Sequence, residues 1–125
     1  MVNDLEGVDQ GGAHKTMAMT VRQWQIVDAT VDNEVDTAIM NGKPGHYIAL
    51  GKSVRQAGWD QLVRGGEGWP AGDKVITITL TVQQWVFVTE TLEFWADVED
   101  DVAPNDEDRP GRLLSASISA RLAAS

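Results

Sequence analysis

At 125 residues, with 42% hydrophobic and 23% charged side chains, the chain has the size of one small domain with its own core. Ten Lys and Arg against 19 Asp and Glu give a net charge of -9, which argues against binding nucleic acid by neutralising phosphates. The absence of cysteine excludes disulfides, thiolate metal sites and a cysteine nucleophile. No window holds the roughly 18 uninterrupted apolar residues of a spanning helix. The opening stretch MVNDLEGVDQGGAHK also lacks the apolar segment of a secretory signal. A soluble, cytoplasmic protein with no membrane partner is the expectation.

In chain order, residues 1–14 read as a flexible tail. Residues 15–19 form a weak alternating strand that runs into Thr20, where T-x-x-Q begins. That spacing is a capping box: the Thr20 hydroxyl accepts the backbone N–H of Gln23, and the Gln23 side chain reaches back to the N–H of Thr20. A helix should therefore start at Val21. At 100° per residue Val21, Trp24, Val27, Val31, Val35, Ala38 and Ile39 share one face, so this helix is expected to turn those residues to a core.

The run NGKPG supplies stop signals, and His46 to Leu50 (HYIAL) reads as a short extended segment. A third box, Ser53 to Gln56, predicts a helix over SVRQAGWDQLVR. The string from Gly45 to Ser53 resembles a phosphate loop, but five bulky, strand-like residues separate its glycines where the motif requires four. Backbone N–H groups can converge on phosphates only in a loop of the right length, so the GKS is read as the glycine and N-cap before a helix.

The Gly-rich loop 65–73 leads to the clearest strand, residues 75–80, and to a second T-x-x-Q box at Thr81 and Gln84. In the helix that follows, Val82, Trp85, Val88, Leu92 and Ala96 make one stripe, and Phe87, Phe94 and Val98 make another. Such a helix needs two covers. The C-terminal segment, with Leu114, Ile118 and Leu122 at i, i+4 and i+8, is one candidate and a second copy of the protein is the other. Between them VEDDVAPNDEDRPG reads as a solvated acidic loop, and residues 93–109 carry -7 of the -9 net charge.

Residues 16–36 and 77–97 match at an offset of 61, with eight of 21 positions identical, Trp24/Trp85 among them. The expected fold is α+β and helix-rich with a small sheet: a duplicated strand-helix-helix unit with pseudo-two-fold symmetry. Residues 15–125 would form a single domain of two repeats, 15–64 and 74–125, joined by the loop 65–73.

Chemistry-bearing motifs are sparse. With two histidines, no H-x-x-x-H pair and no G-x-S-x-G, neither a zinc site nor a placed serine nucleophile is indicated, and no cofactor is expected. Carboxylates recur at i, i+4, i+8 as Asp28, Asp32, Asp36 and again as Glu93, Asp97, Asp101. Each like-charge pair costs a helix about 0.2–0.5 kcal/mol, which a solvated face tolerates. Presented to a partner, the same stripes would attract a basic protein, for instance one whose nucleic-acid site the carboxylates would occupy, as in a small inhibitor. If they converged they would hold a divalent cation, with Glu90, Glu93, Asp97 and Asp100 as ligands and Lys52, Arg55 and Arg64 on the phosphates of an ester substrate.

Trp24 and Trp85 are read as core, while loop-borne Trp69 together with Phe87, Phe94 and Trp95 could anchor a partner. The expected function is non-catalytic. A small acidic protein would bind another macromolecule, a basic protein, through an aromatic patch of Trp69, Phe87, Phe94 and Trp95 rimmed by Glu93, Asp97 and Asp101, with homodimer formation through the same surface as a variant. A metal-dependent phosphohydrolase built on the helix carboxylates is the rival.

Overall fold

The computed structural model describes residues 13–63, 68–102 and 110–124. Strand β1 (His14–Thr20) runs directly into helix α1 (Val21–Met40), which is followed by α2 (Gly45–Leu62). Strand β2 (Val75–Thr81) then runs directly into α3 (Val82–Val102), followed by α4 (Pro110–Ala124). The described chain is 72% helical, with a two-stranded antiparallel sheet and four helices, in keeping with an α+β fold. Among the described residues no helix is long and apolar enough to cross a membrane.

Both strand-to-helix junctions form as their sequences dictate. Thr20 Oγ1 accepts the N–H of Gln23 at 3.1 Å while Gln23 Oε1 accepts the N–H of Thr20 at 2.9 Å. Thr81 and Gln84 repeat this at 3.0 and 2.8 Å. The next free donor on each helix is met from the other half of the chain, Val21 N–H by the Lys74 carbonyl and Val82 N–H by that of Ala13, both at 2.9 Å. Strand pairing sets Met17 opposite Ile78 at the centre, His14 opposite Thr81 and Thr20 opposite Val75. Alternation then sends Met17, Met19, Ile78 and Leu80 inward and leaves the opposite face, with Thr16 and Thr79 joined through their hydroxyls at 2.6 Å, to solvent.

The helices cover the inner face of the sheet, and the core between them is built on Trp24, Val27, Val31, Trp85, Val88 and Leu92. Trp24 and Trp85 are both fully buried, but their polar ends differ. The Trp85 indole N–H donates to the Lys15 carbonyl at 2.8 Å, whereas that of Trp24 has no partner among the described residues and lies against Gly58 of α2.

Several expectations are corrected. His46 to Leu50 is not extended: it forms the first turns of α2, which begins at Gly45 behind Pro44. Ser53 is therefore no N-cap but an interior residue, its hydroxyl donating to the Leu50 carbonyl at 2.6 Å. Helix α1 does end at the NGKPG stop signal, on a left-handed Gly42 (φ 71°), with the N–H of Lys43 on the Ala38 carbonyl and that of Gly42 on Ile39, and Pro44 then starts the next helix. Ile39 falls off the core face and is 51% exposed. His14, read as tail, opens β1. The acidic stretch expected as a loop is helical at both ends, within α3 to Val102 and within α4 from Pro110, and residues 103–109 lie outside the described ones.

The two stripes of α3 find different covers. Helix α4 packs along α3 and buries Leu114 and Ile118, with Gly111 close to Leu92. Phe87 is covered by α2, against the edge of Tyr47 (5.3 Å between ring centroids) and beside Gly51. Phe94 is left uncovered at 53% exposure, and Val82 on the first stripe is itself exposed.

Candidate functional site

Arginines on the second helix of each pair meet the carboxylate ladders of the first. Arg55, projecting from α2 towards α1, donates through Nε and Nη2 to the two oxygens of Asp28 (3.0 and 3.2 Å) and through Nη1 to Asp32 (2.7 Å). Its hydrogen bond to Asp28, followed by the charges of Asp28, Asp32 and Asp36, holds the guanidinium above its ordinary pKa against the opposing effect of burial. Arg112 of α4 does the same on α3, reaching Glu93 at 2.9 Å and Asp97 at 2.8 Å. A planar fork of donors suits two carboxylates one turn apart, so each arginine turns an i,i+4 repulsion into a bridge between helices.

Beyond Arg55 the α1–α2 surface opens into a cleft of about 660 Å³. Its rim carries Asp28, Asp32 and Asp36 on one side and Lys52 on the other, and its apolar part is Ile39, Trp59 and Trp69. Trp59 is 52% exposed and meets Trp69 edge to face, with ring centroids 6.3 Å apart. Trp69 is half-buried and packs on the core, so the loop tryptophan is fixed against the fold while one face of the pair stays open.

On another side of α1 a smaller cleft of about 240 Å³ has Glu34, Glu90, Tyr47 and Phe94 among its lining. Glu34 is buried and joins three helices, accepting from Tyr47 Oη of α2 at 2.6 Å and from Trp95 Nε1 of α3 at 2.9 Å. Burial raises the Tyr47 pKa above its ordinary value, and the hydrogen bond to Glu34 and the charges of Glu34 and Glu90 raise it further.

The residues expected to form one patch are thus dispersed. Trp69 belongs to the α1–α2 cleft, Phe94 to the Glu34 cleft and Trp95 to a third with Ile26 and Leu92. Phe87 is 4% exposed and is a core residue, unable to anchor a partner without leaving the core. Glu93 and Asp97 are engaged by Arg112. Asp100 and Asp101 lie in the last turn of α3, with side chains outside the described ones. The carboxylates do not gather as metal ligands: among the described residues no group of three or more His, Asp or Glu could hold an ion.

Trp59, Ile39 and Glu34 were not among the expected site residues. Trp59 carried a usable signal, since it lies one turn after Arg55 on the same helix and a large apolar residue there has no place in the buried set of Gly51, Val54 and Gly58. Glu34 carried none, because its partners are 13 and 61 residues away. Comparison with protein-family models, with curated proteins and with solved structures found no match.

Proposed function

We propose that the protein is a non-catalytic binding module of the cytoplasm that docks a basic segment of another protein on the α1–α2 cleft. The observation that carries this reading is the half-exposed Trp59, held edge-on by Trp69 beside exposed Ile39 and exposed Asp36, while Asp28 and Asp32 of the same rim are bridged by Arg55. Aromatic rings fixed by packing are low-entropy anchors, and the surrounding carboxylates select a cationic partner and speed its encounter. The proposal keeps the expected role of Trp69 and extends the patch to Trp59, Ile39 and Asp36, in place of the arginine-bridged carboxylates of α3. A homodimer through this face would bring two acidic rims together, so a basic partner is favoured over a second copy.

The test compares capture by the wild-type chain with capture by Trp59→Ala and Asp36→Lys variants, from lysate, at low and high salt. Partners that are basic, released as salt rises and lost in both variants support the reading. Partners bound equally well by all three chains overturn it.

We also infer that the chain is a duplication about a pseudo-two-fold axis. Both strands bury their residues in the same order, both junctions carry the same capping box, and the backbone bonds from Val21 to Lys74 and from Val82 to Ala13 are reciprocal. Positions equivalent at the 61-residue offset meet each other twice, as Met17 with Ile78 and as Glu34 with Trp95, where a two-fold axis would have to pass.

A further inference from the structure

The geometry points to a second binding site, for an organic cation with an ammonium or guanidinium head, in the cleft floored by Glu34. This rests on side chains distinct from those of the docking face, so either reading can fail without the other.

A carboxylate removed from water is costly unless a cation meets it. Glu34 is only 8% exposed, and both its partners, Tyr47 Oη and Trp95 Nε1, are neutral donors. The ion pairs among the described residues engage Asp28, Asp32, Glu93 and Asp97 and leave Glu34 without one. Its carboxylate is therefore hydrogen-bonded but not ion-paired, and it borders a cavity that a second carboxylate, Glu90, and the ammonium of Lys43 also line.

The cavity walls suit an organic cation. Tyr47 and Phe94 both line it, and each is held in place by an edge-to-face contact, with Phe87 at 5.3 Å and Trp95 at 5.2 Å. Lys43 Nζ already stands 5.4 Å from the centre of the Tyr47 ring, within the range of a cation–π contact, so the ring offers its face to positive charge. The last turn of α1, which also borders the cavity, carries no basic residue, and the negative end of the helix dipole adds to the field. About 240 Å³ is small for a drug-sized ligand and matches the head group of an amine or a basic side chain. A bare metal ion is disfavoured, since no third ligand converges among the described residues. Lys43 acts here as a tethered competitor at the mouth.

The Trp95 indole N–H, bonded to Glu34, reports on the site directly. The ¹⁵N-labelled chain is titrated with agmatine and cadaverine, with blocked arginine and lysine amides, and with pentanol as the neutral control. We expect the cations to shift the Trp95 indole resonance saturably and pentanol to leave it in place. Glu90→Gln and Phe94→Ala, both at exposed side chains, should each weaken binding by about 3-fold, and Lys43→Met should tighten it by a similar factor. Tighter binding of the blocked amides would assign the site to a protein side chain, and tighter binding of the free amines to a small molecule; both support it. No saturable shift at tens of millimolar cation, or an equal response to pentanol, overturns the proposal. So does binding that none of the three substitutions alters.

Discussion

Gly58 shows how one missing side chain sets the spacing of two helices. A Cβ at this position would overlap the buried Trp24 indole, so α2 can lie against α1 at this distance only with glycine there. In an unobstructed helix Gly→Ala is worth up to about 1 kcal/mol of stability. Gly58→Ala is expected to reverse that sign and cost about 1–3 kcal/mol, because a fully buried Trp24 has nowhere to go. Gly45→Ala, with nothing within 4 Å of the new methyl, should be neutral or stabilising. Urea unfolding of the two variants checks the contrast. Tyr47 makes a second residue-level case. Its raised pKa means that the folded state retains the phenolic proton after the unfolded chain has lost it. The stabilisation is complete below about pH 10 and falls as pH rises beyond it. A Tyr47→Phe variant should show a shallower loss of stability above pH 10, measured by urea midpoints across the alkaline range.

At the scale of elements, the parts readable in the sequence were those whose physics is local. The two T-x-x-Q junctions work because donor and acceptor lie three residues apart, and the α1 stripe was legible because Val21, Trp24, Val27, Val31, Val35 and Ala38 are large or aliphatic and regularly spaced. Helix α2 was read correctly from Ser53 onward but its first two turns were missed, because Gly51, one of its three buried residues, serves by being small and a hydrophobicity pattern counts it as a break. The arginine bridges were invisible for another reason: Arg55 lies 23 and 27 residues from its partners, so only the finished α1–α2 pair brings them together. Removing Arg55 withdraws two partly exposed ion pairs and restores the repulsion between Asp28 and Asp32. With exposed pairs worth about 0.2–1 kcal/mol and the repulsion about 0.2–0.5 kcal/mol, Arg55→Met should cost about 1 kcal/mol at low ionic strength. The cost should shrink in added salt, because these side chains are open to solvent, Arg55 at 41% and Asp32 at 49%. Thermal melts of both chains at two salt concentrations provide the measurement.

For the whole molecule the question is what makes a two-stranded sheet stable, since such a ribbon is marginal by itself. The backbone edges are partly satisfied by side chains from the second helix of each pair: Gln61 of α2 both accepts from and donates to Thr79 of β2, at 2.8 and 2.9 Å, and Arg121 of α4 reaches the Ala18 carbonyl of β1. The inner face is closed by the helices, and α4 is one of the two covers that α3 needs, lying on the stripe that holds Leu92. The spacing of Leu114 and Ile118 made it one candidate beside a second copy of the protein, whereas the burial of Phe87 under α2 was not legible, because that contact depends on the small Gly51 of α2. Helix α4 contributes two buried aliphatic side chains, Leu114 at 5% and Ile118 at 0% exposure, and it shields Leu92. At about 1.5–3 kcal/mol per side chain its own burial is worth about 3–6 kcal/mol, against a total of about 5–15 kcal/mol for a domain. A chain lacking residues 110–125 should therefore lose most of its margin and also open the α3 face at Leu92. The expected result is a broad, weakly cooperative thermal transition with strong binding of an apolar dye at room temperature. A sharp transition close to that of the full chain would mean that α3 is closed by something other than α4.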